Sequence, residues 1–386
     1  MRKRLPTLLA LLAVLSCSAA AACPFCTTLK PTLAQRRENA AAAAVGELVE
    51  VAADRQVFRL HKVLGGQALL TDRQTLAVPR QGSQAAAQGA TDPLKPGSLV
   101  VLLATPKNEA PHELLWEVTP VSELGYAYFV RAPALGVPTR ERLKFYAGYL
   151  EHRDELLAED AYLEFGHAPY DEVARVADLL PMESLRKWLV EPRVPQSRKG
   201  FYGLALGLAR NETDRRANVA LLRKLVLEPA DDFRAGFDGV LGGYLVAAGE
   251  PALAVVEERI LANPRAAEGD VRHAQTALRF CYEFGRESIP RLRLSKATRR
   301  LLARPEFAAT AIVDLGRWQD WDALEKIVEL FGQPGYESPE TTRAIVGYLL
   351  ACPTPRAAHE LARLRQLDPK AVTDAEQHLS QLGPVR

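Results

Sequence analysis

Four groups of side chains in this sequence have types and spacings that could do chemistry or bind a ligand. Cys23, Pro24, Phe25 and Cys26 form a CxxC, the spacing used in thiol-disulfide exchange when a helix N-terminus stabilises the first thiolate. Such a motif normally follows a buried strand, whereas here only an apolar leader precedes it. The other reading is a structural bridge, or a pair of thiols, at a mature terminus. Thr27 stands where covalent haem attachment needs a histidine. Glu164 and His167 have the ExxH spacing that aims a carboxylate and an imidazole at one metal. Gly166 is expected to end their helix before His167, and the further carboxylates such a centre requires cannot be placed. Arg293, Lys296, Arg300 and Arg304 recur at helical spacing, so they line one helix face opposite Leu294, Ala297 and Leu301. That stripe suits an anionic polymer, or else ion pairs with Glu257, Glu258, Glu325 and Glu329 on flanking helices. Trp318 and Trp321, beside Asp314, Arg317 and Asp320, are read as packing residues at a turn or as a ligand-stacking box.

The rest of the chain narrows these choices. No GxSxG, HExxH, P-loop or dinucleotide fingerprint occurs, and no second CxxC or paired histidines complete a zinc site. No metal and no cofactor are therefore expected, and the chain does not read as an enzyme. At 386 residues, 48% hydrophobic and 25% charged, it is long enough for two or more cores. A net charge of +2 supplies no general field for nucleic acid or anionic membrane. A charged partner must meet a local patch.

Residues 1–22 read as an export signal: Arg2, Lys3 and Arg4 start it, Leu5 to Leu15 form its apolar run, and Ala20 to Ala22 offer a cleavage site. The mature chain would begin at Cys23, in the periplasm, the cell envelope or outside the cell. Val14, Leu15, Ser16 and Cys17 also resemble the lipobox of bacterial lipoproteins, which implies lipidation of Cys17 as an alternative and membrane attachment only through that terminus. Cys281 and Cys352 fall in the third and fifth helix pairs described below, too far apart to bridge, and are expected to stay reduced.

Residues 23–135 are expected to hold a small closed or partly closed barrel. Ala44 to Val51, Gln56 to Val63, Leu69 to Val78, Ser98 to Ala104, Leu114 to Pro120 and Tyr126 to Arg131 read as strands between Gly, Pro, Asp and Gln runs. A cysteine pair at the mature terminus, a short segment from Thr27 to Glu38, the run through Val45, Gly46, Leu48 and Val51, and then Phe58 to Gly66 resemble the start of an OB-type barrel. The resemblance is to the netrin and tissue-inhibitor-of-metalloproteinase kind, in which the terminal cysteine chelates a protease zinc. This chain has CxxC where they have CxC, and no cysteine between Thr27 and Phe280 for their barrel disulfides.

From Thr139 the periodicity is helical, with a connector over 136–193 and paired helices over 194–386. One helix is expected from Thr139 to Leu157, with shorter ones at Tyr170 to Leu180 and Met182 to Val190. Phe201 to Arg210 pairs with Thr213 to Leu227, Phe233 to Ala248 with Pro251 to Leu261, and Val271 to Phe284 with Leu292 to Ala303. Phe307 to Leu315 then pairs with Trp321 to Phe331, and Glu340 to Leu350 with Arg356 to Leu367. Pro192, Pro229, Pro264, Pro305, Pro334 and Pro369 close successive pairs, a ragged period typical of an α-solenoid. Gly203, Gly207, Gly239, Gly243 and Gly347 weaken the first helices, and close helix approach is the expected compensation. The organisation resembles HEAT-like repeat proteins, including exported bacterial ones that join such an array to a small barrel. The fold class expected is α+β multidomain, a small N-terminal β-barrel followed by an all-α HEAT-like solenoid. The function expected is a protein-binding or structural scaffold of the cell envelope, with no nucleic-acid partner. A thiol-disulfide oxidoreductase using Cys23 and Cys26 is the alternative.

Overall fold

A continuous apolar run, buried on both faces over its first five residues, places Ala42–Val51 (β1) in the middle of an antiparallel sheet. The other strands are Arg55–Gly65 (β2), Thr75–Pro79 (β3), Leu99–Pro106 (β4) and Leu114–Pro120 (β5), in the order β3-β2-β1-β4-β5. The computed structural model describes residues 29–70, 73–80, 94–107, 113–229, 234–285 and 288–381. Three register shifts between β1 and β2 curl the sheet. At the middle one, a Cβ on Gly46 would fall 2.1 Å from the Arg59 carbonyl oxygen, so only glycine fits. The result is a curled half-barrel rather than a closed barrel, because β3 and β5 end the sheet without pairing. Its two faces serve different cores. Ala44, Leu48, Phe58, Val100 and Leu102 fill the curl. Ala43, Val45, Val101 and Leu103 join the helical core, which continues as far as Ala375.

One strand expectation fails here and another holds only in part. Tyr126 to Arg131 belongs to helix α3, Glu123–Arg131, because the Ser122 side chain caps it by accepting from Gly125 N at 3.0 Å and Glu123 occupies the first turn. Its aromatic residues Tyr128 and Phe129 are buried by that helical turn, not by a strand face. Of the strand expected over Leu69 to Val78, Leu69 and Leu70 lie in a short helix, Gln67–Leu70 (α2), while Thr75 to Val78 lie in β3 as expected. Ahead of the sheet, Leu33–Asn39 (α1) opens with a capping box between Thr32 and Gln35.

The expected helix from Thr139 to Leu157 is broken. Thr139–Ala147 (α4) ends at Gly148, Glu151 takes a left-handed φ of 51°, and Asp154 caps a new helix, Glu155–His167 (α5). Next come Tyr170–Arg175 (α6) and Met182–Val190 (α7). The paired helices are Gln196–Gly207 (α8) with Glu212–Leu227 (α9), Phe237–Ala248 (α10) with Glu250–Val256 (α11), and Glu268–Phe284 (α12) with Arg291–Thr298 (α13). Pro305–Arg317 (α14) precedes Leu324–Glu329 (α15), and Pro339–Ala351 (α16) precedes Pro355–Leu367 (α17). A π turn, Glu257–Leu261, extends α11, and a 3-10 turn, Arg299–Ala303, extends α13. A last helix, Pro369–Gln381 (α18), packs on α16 and was not anticipated from the sequence. Pro305 and Pro369 are helix openers as well as closers, since proline suits a first turn whose N–H has no partner.

Helices α8, α10 and α12 pack in succession, as do α14, α16 and α18. Between α8 and α10 the backbones touch: a Cβ on Gly243 would lie 2.0 Å from Gly203 O, and one on Gly239 1.9 Å from Gly200 O. Gly207 is equally confined, whereas Gly347 meets only the Leu379 side chain. Several bonds between hairpins share nearly one sequence separation. Tyr162 to Ser197, Arg279 to Asp314, Tyr282 to Trp318 and Arg293 to Glu257 all span 35 or 36 residues.

Candidate functional site

Helix α5 is where the sheet, the N-terminal segment and the helical array meet. Its sequence places acids among apolar residues, and each acid faces a different neighbour. Asp160, 3% exposed, accepts from Leu33 N at 2.6 Å and from the Tyr128 hydroxyl at 2.6 Å. The Leu33 N–H is a first-turn donor of α1 with no partner in its own helix, so Asp160 stands in for one. Burial is the dominant influence on this carboxyl and pushes it from 3.8 up to about 6, against those two hydrogen bonds. Tyr128 in turn is pushed far above the ordinary phenol range, by burial first and then by Asp160.

The ExxH pair lies on this helix but does not converge. Glu164, 1% exposed, pairs with Arg142 of α4. His167 Nε2 lies 2.9 Å from the Lys30 carbonyl oxygen instead. Helix α5 runs through His167, contrary to the break expected at Gly166, and stops where Pro169 follows. The Glu164 Oε1, Arg142 Nε and Tyr146 hydroxyl atoms are buried without a hydrogen-bond partner among the described residues. Among the described residues no group of three metal-capable side chains comes together.

The opposite flank of α5 holds Arg198, which is wholly buried. Its guanidinium meets Glu151 at 3.1 Å, Glu159 at 2.8 Å and also Glu155, while the Tyr202 hydroxyl donates to Glu151 at 2.5 Å. This network fixes the left-handed turn at Glu151 between α4 and α5. Neither α5 cluster was singled out from the sequence. The available signal was the run Glu159, Asp160 and Glu164 inside an otherwise apolar helix.

The basic stripe spans α13 and its 3-10 extension. Arg293 and Arg300 both bind Glu257, Arg293 through paired contacts and Arg300 through Nε at 3.0 Å. Burial acts to raise the Glu257 carboxyl, but the bonds from the two arginines outweigh it and hold the group below the usual carboxylate range. Arg304 lies over the Phe307 ring, 4.8 Å from its centre, and donates to Glu306 at 3.1 Å. Lys296 is exposed and forms no ion pair among the described residues. Of the anticipated acids, Glu325 bonds Arg356 at 2.6 Å instead of the stripe. Beside the stripe runs a groove of about 570 Å³, crossing the ends of α11, α13 and α15. Trp318 stacks on Tyr282 at 4.2 Å and Trp321 meets Tyr348 edge-on, so both rings contact residues of neighbouring hairpins.

Cys281 and Cys352 are buried free thiols. Burial pushes the Cys281 thiol up to about 12, which leaves it inert. Residues 1–22, read above as an export signal and including Cys17, and the Cys23 and Cys26 pair lie outside the described residues. No helix among the described residues is long and apolar enough to cross a membrane. No protein-family model matches the chain, and no curated protein is similar to it.

Proposed function

We propose that the chain is an exported scaffold of the cell envelope that binds protein through a HEAT-like solenoid, with an OB-type half-barrel at its N-terminal end. The observation that carries this reading is the repeated separation of 34 to 36 residues in bonds between hairpins. It runs from Tyr162 and Ser197 through Gln275 and Thr310 to Tyr336 and Leu302. A separation that recurs along the chain supports a stack of similar units, in which each unit bonds mainly to its neighbour. Stacks of this kind offer an extended surface rather than a closed cleft, which suits a protein ligand.

Three experiments test the proposal. Tagged protein cross-linked in the native host and purified from envelope fractions should recover one defined partner in near-equal amount. A Cys23 and Cys26 pair with a reduction potential in the range of catalytic oxidants, together with turnover of a disulfide substrate, would instead favour the oxidoreductase. Truncation after Gly335 removes α16, α17 and α18 and uncovers the apolar face of α14. The expected result is loss of helical signal and aggregation, while the sheet stays protected from protease. A monomeric truncation with an unchanged melting temperature would end the solenoid reading of the C-terminal half.

A further inference from the structure

Two side chains of helix α5, about two turns apart, hold the chain segment that enters the sheet. The Asp160 carboxylate accepts from Leu33 N at 2.6 Å, and His167 Nε2 lies 2.9 Å from the Lys30 carbonyl oxygen. Arg37 adds bonds to the Ala132 and Pro133 carbonyl oxygens at 3.2 and 3.3 Å, and Arg36 reaches Glu117 of β5. Thr32, Leu33 and Ala34 are buried, whereas Gln35 to Asn39 are half-buried or exposed. A helix of seven residues such as α1 is not stable alone, so it keeps its shape only while docked.

Of the two α5 side chains, only Asp160 changes its grip with charge. A carbonyl oxygen can only accept, so His167 donates to Lys30 through Nε2 whether its ring is neutral or charged. Asp160 is 3% exposed and forms no ion pair among the described residues. The groups that face it are Leu33 N and Arg36 from α1, the Tyr128 hydroxyl from α3, Tyr146 from α4, and Glu164 one turn further along α5. Glu164 is itself taken by Arg142, and Arg37 acts on the cluster through Tyr146. The two hydrogen bonds and Arg36 favour the ionised form, but burial outweighs them and Glu164 adds to burial. Ionised Asp160 is thus a buried charge without a counter-ion, and water reaches it when α1 lifts away.

We propose that residues 30–39 form an acid-tightened strap, docked on α5 while Asp160 is protonated and opening far more often, with the rest of the fold intact, once Asp160 ionises. Opening gives up the burial of three residues and a few bonds, whereas unfolding gives up the whole core, so the strap opens first. The exposed pair of Arg36 and Glu117 adds little to its closure. A closed carboxyl raised from 3.8 to about 6 makes closure strongest below pH 3.8. Closure then weakens as pH rises between those values and levels off above the upper one.

Amide hydrogen exchange on the full chain tests this, with each rate divided by that of an unstructured peptide at the same pH. Protection of the α1 amides, Arg36 N among them, should fall roughly fiftyfold between about pH 4 and pH 7. At both pH values it should lie well below that of the most protected amides of α9 and α10. Asp160→Asn, which keeps an acceptor for Leu33 N, should make α1 protection independent of pH. His167→Ala should lower α1 protection by the same factor at every pH and keep the slope. Unchanged wild-type protection, or a slope that survives Asp160→Asn or vanishes with His167→Ala, would overturn the proposal. Protection of α1 equal to that of α9 and α10 would also overturn it, since the strap would then leave only when the whole fold unfolds.

Discussion

The junction around α5 and the array beyond it both bury carboxylates and both pair them with arginine, Glu164 with Arg142 at the junction, but one acid of the junction, Asp160, is held by other means. In the array each buried acid meets an arginine from an adjacent segment: Asp314 with Arg279, Glu257 with Arg293, Asp320 with Arg299. At the junction Asp160 accepts only from a backbone N–H and a tyrosine hydroxyl. The acidities separate accordingly, with Glu257 held low and Asp160 raised to about 6. Charged partners make the array's acids part of the stacking at neutral pH, whereas ionisation of Asp160 works against the junction that it ties together. One chain thus contains both a paired and a proton-sensitive form of buried charge.

The first prediction concerns how the array begins, where backbone contact rather than charge joins α8 to α10. Gly239→Ala places a methyl group 1.9 Å from the Gly200 carbonyl oxygen, a distance that only separation of the two helices relieves. Overpacking of this kind costs roughly 3 kcal/mol. Gly347→Ala, whose new methyl group meets only the Leu379 side chain at 3.5 Å, should instead be neutral or stabilise by up to about 1 kcal/mol through helix propensity. Denaturant unfolding of both variants checks the contrast. Equal effects would mean that α8 and α10 are not in backbone contact.

The second prediction breaks the comparison at Asp160. A carboxyl raised from 3.8 to about 6 on folding contributes stability that is complete below pH 3.8 and lost as pH rises through 6. The displacement corresponds to about 3 kcal/mol, at about 1.4 kcal/mol per unit. Asp160→Asn keeps an acceptor for Leu33 N and cannot ionise, so it should be more stable than wild type above pH 7 and lose that advantage towards pH 4. Asp178, Glu183, Glu212 and Asp214 are held low by Arg140, Lys187, Arg216 and Asn211 respectively, and have the opposite sign. They are common to both proteins and drop out of the difference. Unfolding curves that stay parallel from pH 4 to pH 8 would show that Asp160 carries no such cost.

Much of the fold could be read from local pattern. Strands β1, β2, β4 and β5 announce themselves by Val, Leu and Phe between Pro and Gly, and Met182–Val190 begins and ends where its periodicity does. The failures came where an apolar run is compatible with either period. Tyr126 to Val130 is as good a strand as a helix until Ser122 and Gly125 are seen to cap it. The curl of the sheet depends on bulges opposite Gly46, which no alternation reveals. The clasp at Asp160 joins residues 127 positions apart, and a lone acid within a helix gives no hint of its partner. The basic stripe was legible as a face, but the sharing of Glu257 by Arg293 and Arg300 requires the stacking to be known.

The smallest effect sharpens the comparison within the array itself, where ion pairs between hairpins occur in two environments. Arg279 meets both oxygens of Asp314, at 2.7 and 2.8 Å, and the Asp314 side chain is 3% exposed and also accepts from Gln275 at 2.8 Å. Arg356 and Glu325 approach to 2.6 Å with side chains 60% and 64% exposed. Water screens the second pair on nearly every side, and holding two long side chains in one geometry costs rotamer entropy, so distance alone does not set the strength. Double-mutant cycles to alanine should give a coupling of about 1 to 2 kcal/mol for Arg279 and Asp314, against under about 0.5 kcal/mol for Arg356 and Glu325. Raising sodium chloride to about 0.5 M should abolish the second coupling and weaken the first less, because the Asp314 carboxylate is shielded from solvent although Arg279 is 41% exposed. Equal couplings, or an equal response to salt, would mean that the array's stacking does not shelter Asp314 and that its carboxylates are no better protected than those on the surface.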